Sequence, residues 1–388
     1  MSRWHAYLNT GKKIIESYDG RVPLSAWLKD FFRQHKQMGA RDRKFISEEV
    51  YSFYRLGQPV PGISIEDKIL AALFLCHNVS NEMLHFLKPA WNSNIHLSFP
   101  GKVAYLQAED IHWNQENIFP WFDELSNNID QDNFNQSHLK QPDLFLRIRP
   151  EQEDIVQQKL TEAGINFKLA GNCITLANAT KIDQVLTIDK EVVVQDYNSQ
   201  RVGNFFQFNT AGPVTVWDCC AGSGGKSLMA MDLNPQLRLT VSDSRASIIE
   251  NLRKRFLRAA ITHYQSSVTD LTVSGTALPP RLFDAVIADV PCSGSGTWCR
   301  TPEQLYFFDR QKLNYYSDLQ KNIVSHIIPK LKAGGTLIYI TCSVFKKENE
   351  EVVDFIKANF GLQLEVVELL KGYNMKADSM FVAVFKKL

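Results

Sequence analysis

No apolar run in the sequence approaches the ~20 residues that a bilayer-spanning helix needs, and the first thirteen residues lack the apolar centre of a secretory signal. A cytoplasmic protein with no membrane partner is therefore expected. Low-complexity tracts and internal repeats are missing, which sets aside disordered tails and solenoids. Cysteine is sparse: seven residues, an odd number, scattered along 388 positions with no CxxC pair and no Cys/His cluster at ligand spacing. A disulfide framework and a zinc site are both disfavoured, and reduced thiols are expected. An excess of one charge sign is also lacking. With 43 basic and 42 acidic side chains the net charge is +1, so charge alone does not announce a nucleic-acid binder.

What is present is a globular composition, 44% hydrophobic and 22% charged, in a chain long enough for two or three domains. The first sixty residues lean basic, through Arg3, Lys12, Lys13, Lys29, Arg33, Lys36, Arg41, Arg43, Lys44 and Arg55, while 109–132 lean acidic. The basic stretch reads either as a solvated helix face or as a surface that tracks a phosphate backbone.

Pattern divides the chain into three regions. Residues 1–135 read as a helical domain: Ile14, Ile15 and Tyr18, then Leu24, Leu28, Phe31 and Phe32, then Ile46, Val50, Phe53 and Tyr54, then Ile69, Leu73 and Phe74 recur at helical spacing. Residues 58–62, with two prolines and a glycine, predict a loop, and 105–140 are too polar to assign. Residues 142–200 read as a small α+β module. A strand at 144–149 is followed by a helix at 151–163 capped by Gly164, then by strands at 167–170, 173–176 and 192–195. That order resembles half of a ferredoxin-like sheet. Residues 201–388 alternate strands (214–218, 238–243, 284–289, 336–341, 364–369, 380–386) with helices (227–232, 247–260, 313–331, 349–358), the mark of an open, mostly parallel α/β sheet.

The first strand of this region runs into Asp218-Cys219-Cys220-Ala221-Gly222-Ser223-Gly224-Gly225-Lys226-Ser227, and a helix follows. Glycines after a strand let a ligand approach the backbone, and the helix start offers unpaired N–H groups. A P-loop requires glycine where Cys220 stands, and a nicotinamide fingerprint requires it where Ser227 stands. The remaining reading is a turn for S-adenosylmethionine. Asp243 ends the next strand, where an acid can hold ribose hydroxyls, and Asp270 lies near the end of a third strand, where it can accept from an adenine amine or simply cap a helix.

Two further strands end in Asp289-Val290-Pro291-Cys292-Ser293-Gly294-Ser295-Gly296 and Thr341-Cys342-Ser343, which puts both cysteines on the rim where open α/β sheets bind ligands. A lone buried cysteine is usually a small core residue; two in Cys-Ser turns at two strand ends are more than coincidence. Cytosine C5 accepts a methyl group only after a thiolate has added to C6, so that chemistry needs a soft nucleophile, a group at N3, and help with the final elimination. Asp289 is the candidate at N3, where its pKa must be raised for it to carry a proton. Enzymes that methylate exocyclic amines place an aromatic residue where this chain has Cys292.

These motifs resemble the RsmB/Nop2/Sun family of RNA 5-methylcytosine methyltransferases. The resemblance extends to Val194–Gln200, to Gln320 with 331–335, and to Glu348-Asn349-Glu350. It implies a Rossmann-like class I methyltransferase domain, S-adenosylmethionine as cofactor, and RNA as partner, ribosomal RNA first and tRNA second. It assigns attack to Cys342, resolution of the adduct to Cys292, and a place near the target base to Lys226. The expected cofactor contacts are Asp218, Cys219, Ala221, Gly222, Ser223, Gly224, Gly225, Lys226, Asp243, Arg245, Asp270, Asp289 and Pro291, with no metal. The helical region resembles the NusB-like RNA-binding domain of ribosomal members. Gly222 and Ser223 depart from the family's Ala-Pro, Trp298-Cys299-Arg300 from its paired cations, and Asp378-Ser379-Met380-Phe381 from its Asp-Gly-Phe-Phe. The module around Arg147 and Arg149, with the basic N-terminus, is expected to grip the RNA backbone. The rival from another class is a non-catalytic RNA-binding assembly factor that keeps the fold, and a P-loop NTPase is a third reading.

Overall fold

Strands whose successive residues face two different helix layers need apolar side chains at nearly every position, and those of the C-terminal region have them. The computed structural model describes residues 2–58, 62–208, 213–273 and 275–388. The centre of the loop expected at 58–62 lies outside the described residues. Two compact units emerge. One comprises 1–123, 130–141 and 298–310, and the other 124–129, 142–297 and 311–388.

The first unit is helical. Ser64 caps helix Ile65–Cys76 by accepting the Asp67 N–H. That helix is apolar on almost every side from Ile69 to Leu75 and is buried accordingly. Helices Arg3–Ser17 and Ala40–Arg55 pack beside it. The unassigned stretch after it holds helices Glu82–Leu87, Pro89–Ser93 and Phe99–Ala108, and the polar 105–140 segment contributes helix Gln131–Ser137. Residues 298–310, which the sequence pattern grouped with the α/β region, belong here. Tyr306 and Phe307 pack edge-on against Tyr54 and Tyr18. Arg55 is buried, and its guanidinium donates to the carbonyls of His138, Lys140 and Cys299 at 2.9, 3.2 and 2.9 Å, tying three chain segments together. The expectation that Arg55 faces a phosphate backbone is thereby corrected. Arg3 and Arg41 both reach Glu82, and Lys12 reaches Glu66; Lys13, Lys29, Lys36 and Lys44 are exposed.

The second unit holds two sheets. In the small module, β1 (Leu144–Ile148), β2 (Lys168–Ala170), β3 (Cys173–Leu176) and β4 (Val192–Val194) pair antiparallel in the order β2-β3-β1-β4. Helix Glu153–Glu162 sits in the crossover, ending before Gly164 at φ 65°, and buries Val156 and Leu160. No second helix is assigned between β3 and β4, where a complete ferredoxin-like fold has one. The large sheet has the order β10-β11-β9-β8-β5-β6-β7, with β5 (Thr215–Asp218), β6 (Arg238–Asp243), β7 (Tyr264–Val268), β8 (Phe283–Asp289) and β9 (Leu331–Thr341) parallel, and β11 (Met380–Lys387) antiparallel between β9 and β10 (Leu362–Leu370). Val216 and Ile287 face one core with Leu228, Leu252 and Phe256, whereas Trp217 and Val286 face the other with Ile323, Val324 and Ile356. This is the doubly wound, Rossmann-like arrangement expected from the alternating pattern.

Candidate functional site

Chain order decides where the site lies. After β5 the chain crosses to β6 and β7 on one side; it then returns to β8 on the other, so the loops leaving β5 and β8 diverge and open a crevice at the carboxyl rim. A cavity of about 490 Å3 occupies that crevice. Of the expected cofactor contacts, it is lined by Asp218, Cys219, Ala221, Gly222, Ser223, Gly225, Lys226, Asp243, Arg245, Asp270, Asp289 and Pro291, and Cys292 and Cys342 line it too. Gly224 is not among the lining residues. At φ 84° a Cβ there would come within 2.7 Å of the Phe256 ring, so Gly224 serves close packing between the turn and helix Ala246–Arg258. Gly222, at φ 53°, has open space around its Cα and leaves the loop backbone accessible.

Asp218 lies beneath the loop, fully buried. Ser227 donates to one carboxylate oxygen at 2.6 Å, and the other has no protein partner. Burial drives its pKa up to about 7, against the opposing Ser227 hydrogen bond. Asp243 is also buried, but it accepts the Gly222 N–H and three bonds from Arg245. Burial alone would raise its pKa; these donors outweigh burial and hold it below the usual carboxylate range. Asp270 is exposed and takes the Thr272 N–H and hydroxyl on a single oxygen, which also holds its pKa low. It is thus a turn-capping residue that borders the cavity.

The two thiols are brought together by strand pairing. In the parallel β8–β9 register Asp289 stands beside Ile340, and Val290 N–H donates to the Ile340 carbonyl, so both chains leave the sheet side by side. The sulfurs of Cys292 and Cys342 end 3.3 Å apart, free and half-buried. Gly296 N–H donates to the Cys342 carbonyl at 2.8 Å, fastening one turn to the other. Gln320, buried on helix Lys312–Ile327, donates to the Pro291 carbonyl at 3.0 Å. Lys226 Nζ, also on the cavity lining, lies 3.2 Å from Asp289 and donates to Ser199 Oγ at 2.7 Å. All four expected catalytic side chains, Cys342, Cys292, Asp289 and Lys226, thus line one cavity. Ser199 and Glu348 were not singled out as site residues, although both lie within segments that carried the resemblance.

Arg147 and Arg149 are not on this rim. Both pair with Asp232 on helix Gly225–Leu233, at 2.6 and 2.7 Å, and Arg147 is buried. They hold the small module to the large sheet; the expectation that they grip RNA is corrected.

Sheet order, glycine turn and paired thiols define a Rossmann-like methyltransferase domain. Residues 206–382 match the family described as 16S rRNA methyltransferase RsmB/F. The chain is 30% identical over 207 residues to ribosomal RNA small subunit methyltransferase B of Xanthomonas campestris pv. campestris, covering 50% of this chain and 46% of that protein. It is 33% identical over 148 residues to ribosomal RNA small subunit methyltransferase F of Vibrio cholerae, covering 38% of this chain and 31% of that one. The chain thus spans less than half the length of these relatives. Among solved structures, PH0851 aligns over 97% of both chains with a TM-score of 0.71 at 18% identity. NSun6 from Pyrococcus horikoshii, solved with SFG, aligns over 66% of this chain and 94% of its own with a TM-score of 0.57 at 11% identity. Both likenesses are of fold. No helix among the described residues is long and apolar enough to cross a membrane, and no group of metal-binding side chains is found among them.

Proposed function

We propose that this protein is an S-adenosylmethionine-dependent RNA cytosine-C5 methyltransferase that acts through a covalent adduct with Cys342, and that its substrate is ribosomal RNA. The observation that carries the reading is the pair of sulfurs 3.3 Å apart in a glycine-loop cavity that the Asp289–Lys226 pair also lines. The names of the relatives, ribosomal RNA small subunit methyltransferases, support the substrate class.

The residues present suit the cofactor. The unpartnered, buried oxygen of Asp218 suits an amino group, the space at Gly222 lets a ligand approach the loop, and Asp243 at the end of β6 suits ribose hydroxyls. When bound, S-adenosylmethionine supplies an electrophilic methyl group. Cys342 adds to C6 of the cytosine, forming an S–C6 bond and turning C5 into an enamine carbon. Asp289, kept in place by Lys226, meets N3 and hydrogen-bonds or protonates it as charge builds there. After C5 has taken the methyl, a solvent water takes the C5 proton, the C5=C6 bond re-forms, and the S–C6 bond breaks with its electron pair returning to the Cys342 sulfur, while the Cys292 thiol hydrogen-bonds the departing thiolate.

The test is incubation of purified protein with S-adenosylmethionine and small-subunit rRNA, read on denaturing gels and by bisulfite sequencing. Wild type should leave a 5-methylcytosine, Cys292→Ala should accumulate a protein–RNA adduct, and Cys342→Ala should give neither. Equal trapping by both variants would refute the assigned roles. An unmethylated product with every variant, together with intact RNA binding, would favour an assembly factor.

A further inference from the structure

Two thiols in hydrogen-bond contact pose a problem that the mechanism leaves open. Each is adjacent to the other and both line the same cavity, so something must decide which one is the thiolate. The sulfur contact is symmetric; what lies behind the two sulfurs is not.

Behind Cys292 lies Glu348, fully buried in the turn that leads into helix Glu350–Phe360. Its two carboxylate oxygens accept from the residue that follows Cys292: the Ser293 N–H at 2.8 Å and the Ser293 hydroxyl at 2.7 Å. Donors converging on both oxygens suit the ionised form. Around this carboxylate the hydroxyls of Ser293, Ser295 and Ser343 form a closed set with separations of 3.1 to 3.4 Å. Ser295 in turn accepts the Val344 N–H and Ser343 the Phe345 N–H. The serine after each cysteine thus belongs to one buried polar cluster, and Glu348 is its carboxylate.

Resting on the reading that Cys342 is the nucleophile, we propose that Glu348 is the positioning residue that settles which sulfur carries the negative charge. Clamped behind Cys292 through Ser293, it keeps the shared proton on Cys292 and leaves Cys342 as the thiolate.

The directions of the local electrostatics agree. Cys292 is pushed up first by its hydrogen bond to Cys342, then by burial, with the charges of Cys342 and Glu348 adding to the shift and the Gly294 N–H opposing it. Glu348 itself is pushed up by burial and pulled back by Ser343 and Ser293. The other titratable groups around the pair are Tyr316 on helix Lys312–Ile327 and Tyr339 on β9, both raised chiefly by burial and so neutral in the working range. Asp289 and Lys226, which line the same cavity, pair with one another. Among these groups Glu348 is the charge held unequally by the two turns: the residue after Cys292 gives it both an N–H and a hydroxyl, the residue after Cys342 a hydroxyl alone. A thiol at Cys292, hydrogen-bonded to a departing Cys342 thiolate, is also the arrangement that eases release of the adduct.

Site-resolved alkylation tests this without RNA. Full-length protein is treated with iodoacetamide between pH 6 and 9, and labelling at each cysteine is followed by mass spectrometry. Wild type should label Cys342 ahead of Cys292. Glu348→Gln, nearly isosteric and neutral, should cut the Cys342-to-Cys292 ratio about tenfold, the effect of one pKa unit, and flatten its pH profile; Glu348→Asp should restore part of it. If Glu348→Gln does not fold, Ser293→Ala, which removes one donor and leaves the carboxylate, should lower the ratio by a smaller factor. Preferential labelling of Cys292 in wild type, or an unchanged ratio in a folded variant, would overturn the proposal. The adduct assay fails separately. A shifted labelling ratio with no trapped RNA in Cys292→Ala would sink the mechanism and leave the charge bias standing, whereas trapped RNA with an unchanged ratio would do the reverse.

Discussion

Asp218 illustrates how a buried carboxyl, proposed above as a cofactor contact, burdens the protein that carries it. One of its oxygens has no partner, and burial lifts its pKa from 3.8 to about 7. The folded state therefore holds a proton that the unfolded chain releases near pH 4, and the native state is the one that binds more protons across that interval. Stability contributed by the neutral group is complete below the unfolded pKa and is lost as pH rises through about 7, by at most about 4 kcal/mol. Thermal melts of the cofactor-free protein should thus show a component that weakens from pH 4 to pH 7. Asp218→Asn, which cannot ionise, should flatten that component. A slope identical to wild type would show that Asp218 is ionised throughout.

At the level of elements, the turns after β8 and β9 work as one unit, and Gly296 is where they meet. Its N–H holds the Cys342 carbonyl, its carbonyl accepts from Ser379 N–H, and a Cβ there would stand 2.1 Å from the Ser379 carbonyl oxygen and 3.0 Å from that of Cys342. Those oxygens are backbone and cannot turn aside. Gly296→Ala should therefore cost about 1–3 kcal/mol and widen the spacing of the two sulfurs, so that methyl transfer falls more than cofactor affinity does. Isothermal titration and single-turnover rates separate the two, and equal losses in both would count against the coupling. This pairing was half legible in the sequence. The cysteines stand at strand ends in two recognisable motifs, and parallel pairing of adjacent strands does the rest. Glu348 was not legible as a partner of Ser293, because 55 residues separate them and only the β8–β9 register makes them neighbours. β7 was expected to end near Asp270 but could not be given bounds, because Tyr-Gln-Ser-Ser-Val is an edge strand with little apolar signal. β9 begins at Leu331, five residues before its apolar run, because Gly334 and Gly335 accommodate an irregularity opposite Phe283. Helix Lys312–Ile327 stops short of 331 because Pro329 follows.

Across the whole chain, the alternating pattern after residue 200 revealed the doubly wound sheet, since strands buried on both faces write their positions directly into sequence. Residues 298–310 could not be assigned to the helical unit in this way, because aromatic packing among Tyr18, Tyr54, Tyr306 and Phe307 leaves no periodic trace. Charge misled in a similar manner. Arg147 and Arg149 alternate along a strand like residues awaiting an anion, yet both pair within the protein with Asp232, whose side chain is 5% exposed. A second clamp repeats the design, with Arg255 and Arg258 of helix Ala246–Arg258 converging on buried Asp189 in the loop before β4. Small module and large sheet should therefore unfold together. Asp232→Ala leaves two guanidinium groups without their counter-ion, one of them deeply buried, and breaking such a pair costs about 3–5 kcal/mol. Urea denaturation should show the midpoint falling by that equivalent, and hydrogen exchange should report faster opening of β1 ahead of β5 and β8. Asp189→Ala, at the other clamp, should do the same with the loss centred on β4. Were Asp232→Ala within about 0.5 kcal/mol of wild type, the range of an ordinary surface change, the two arginines would be free to serve another partner, and the phosphate-binding role set aside above would return.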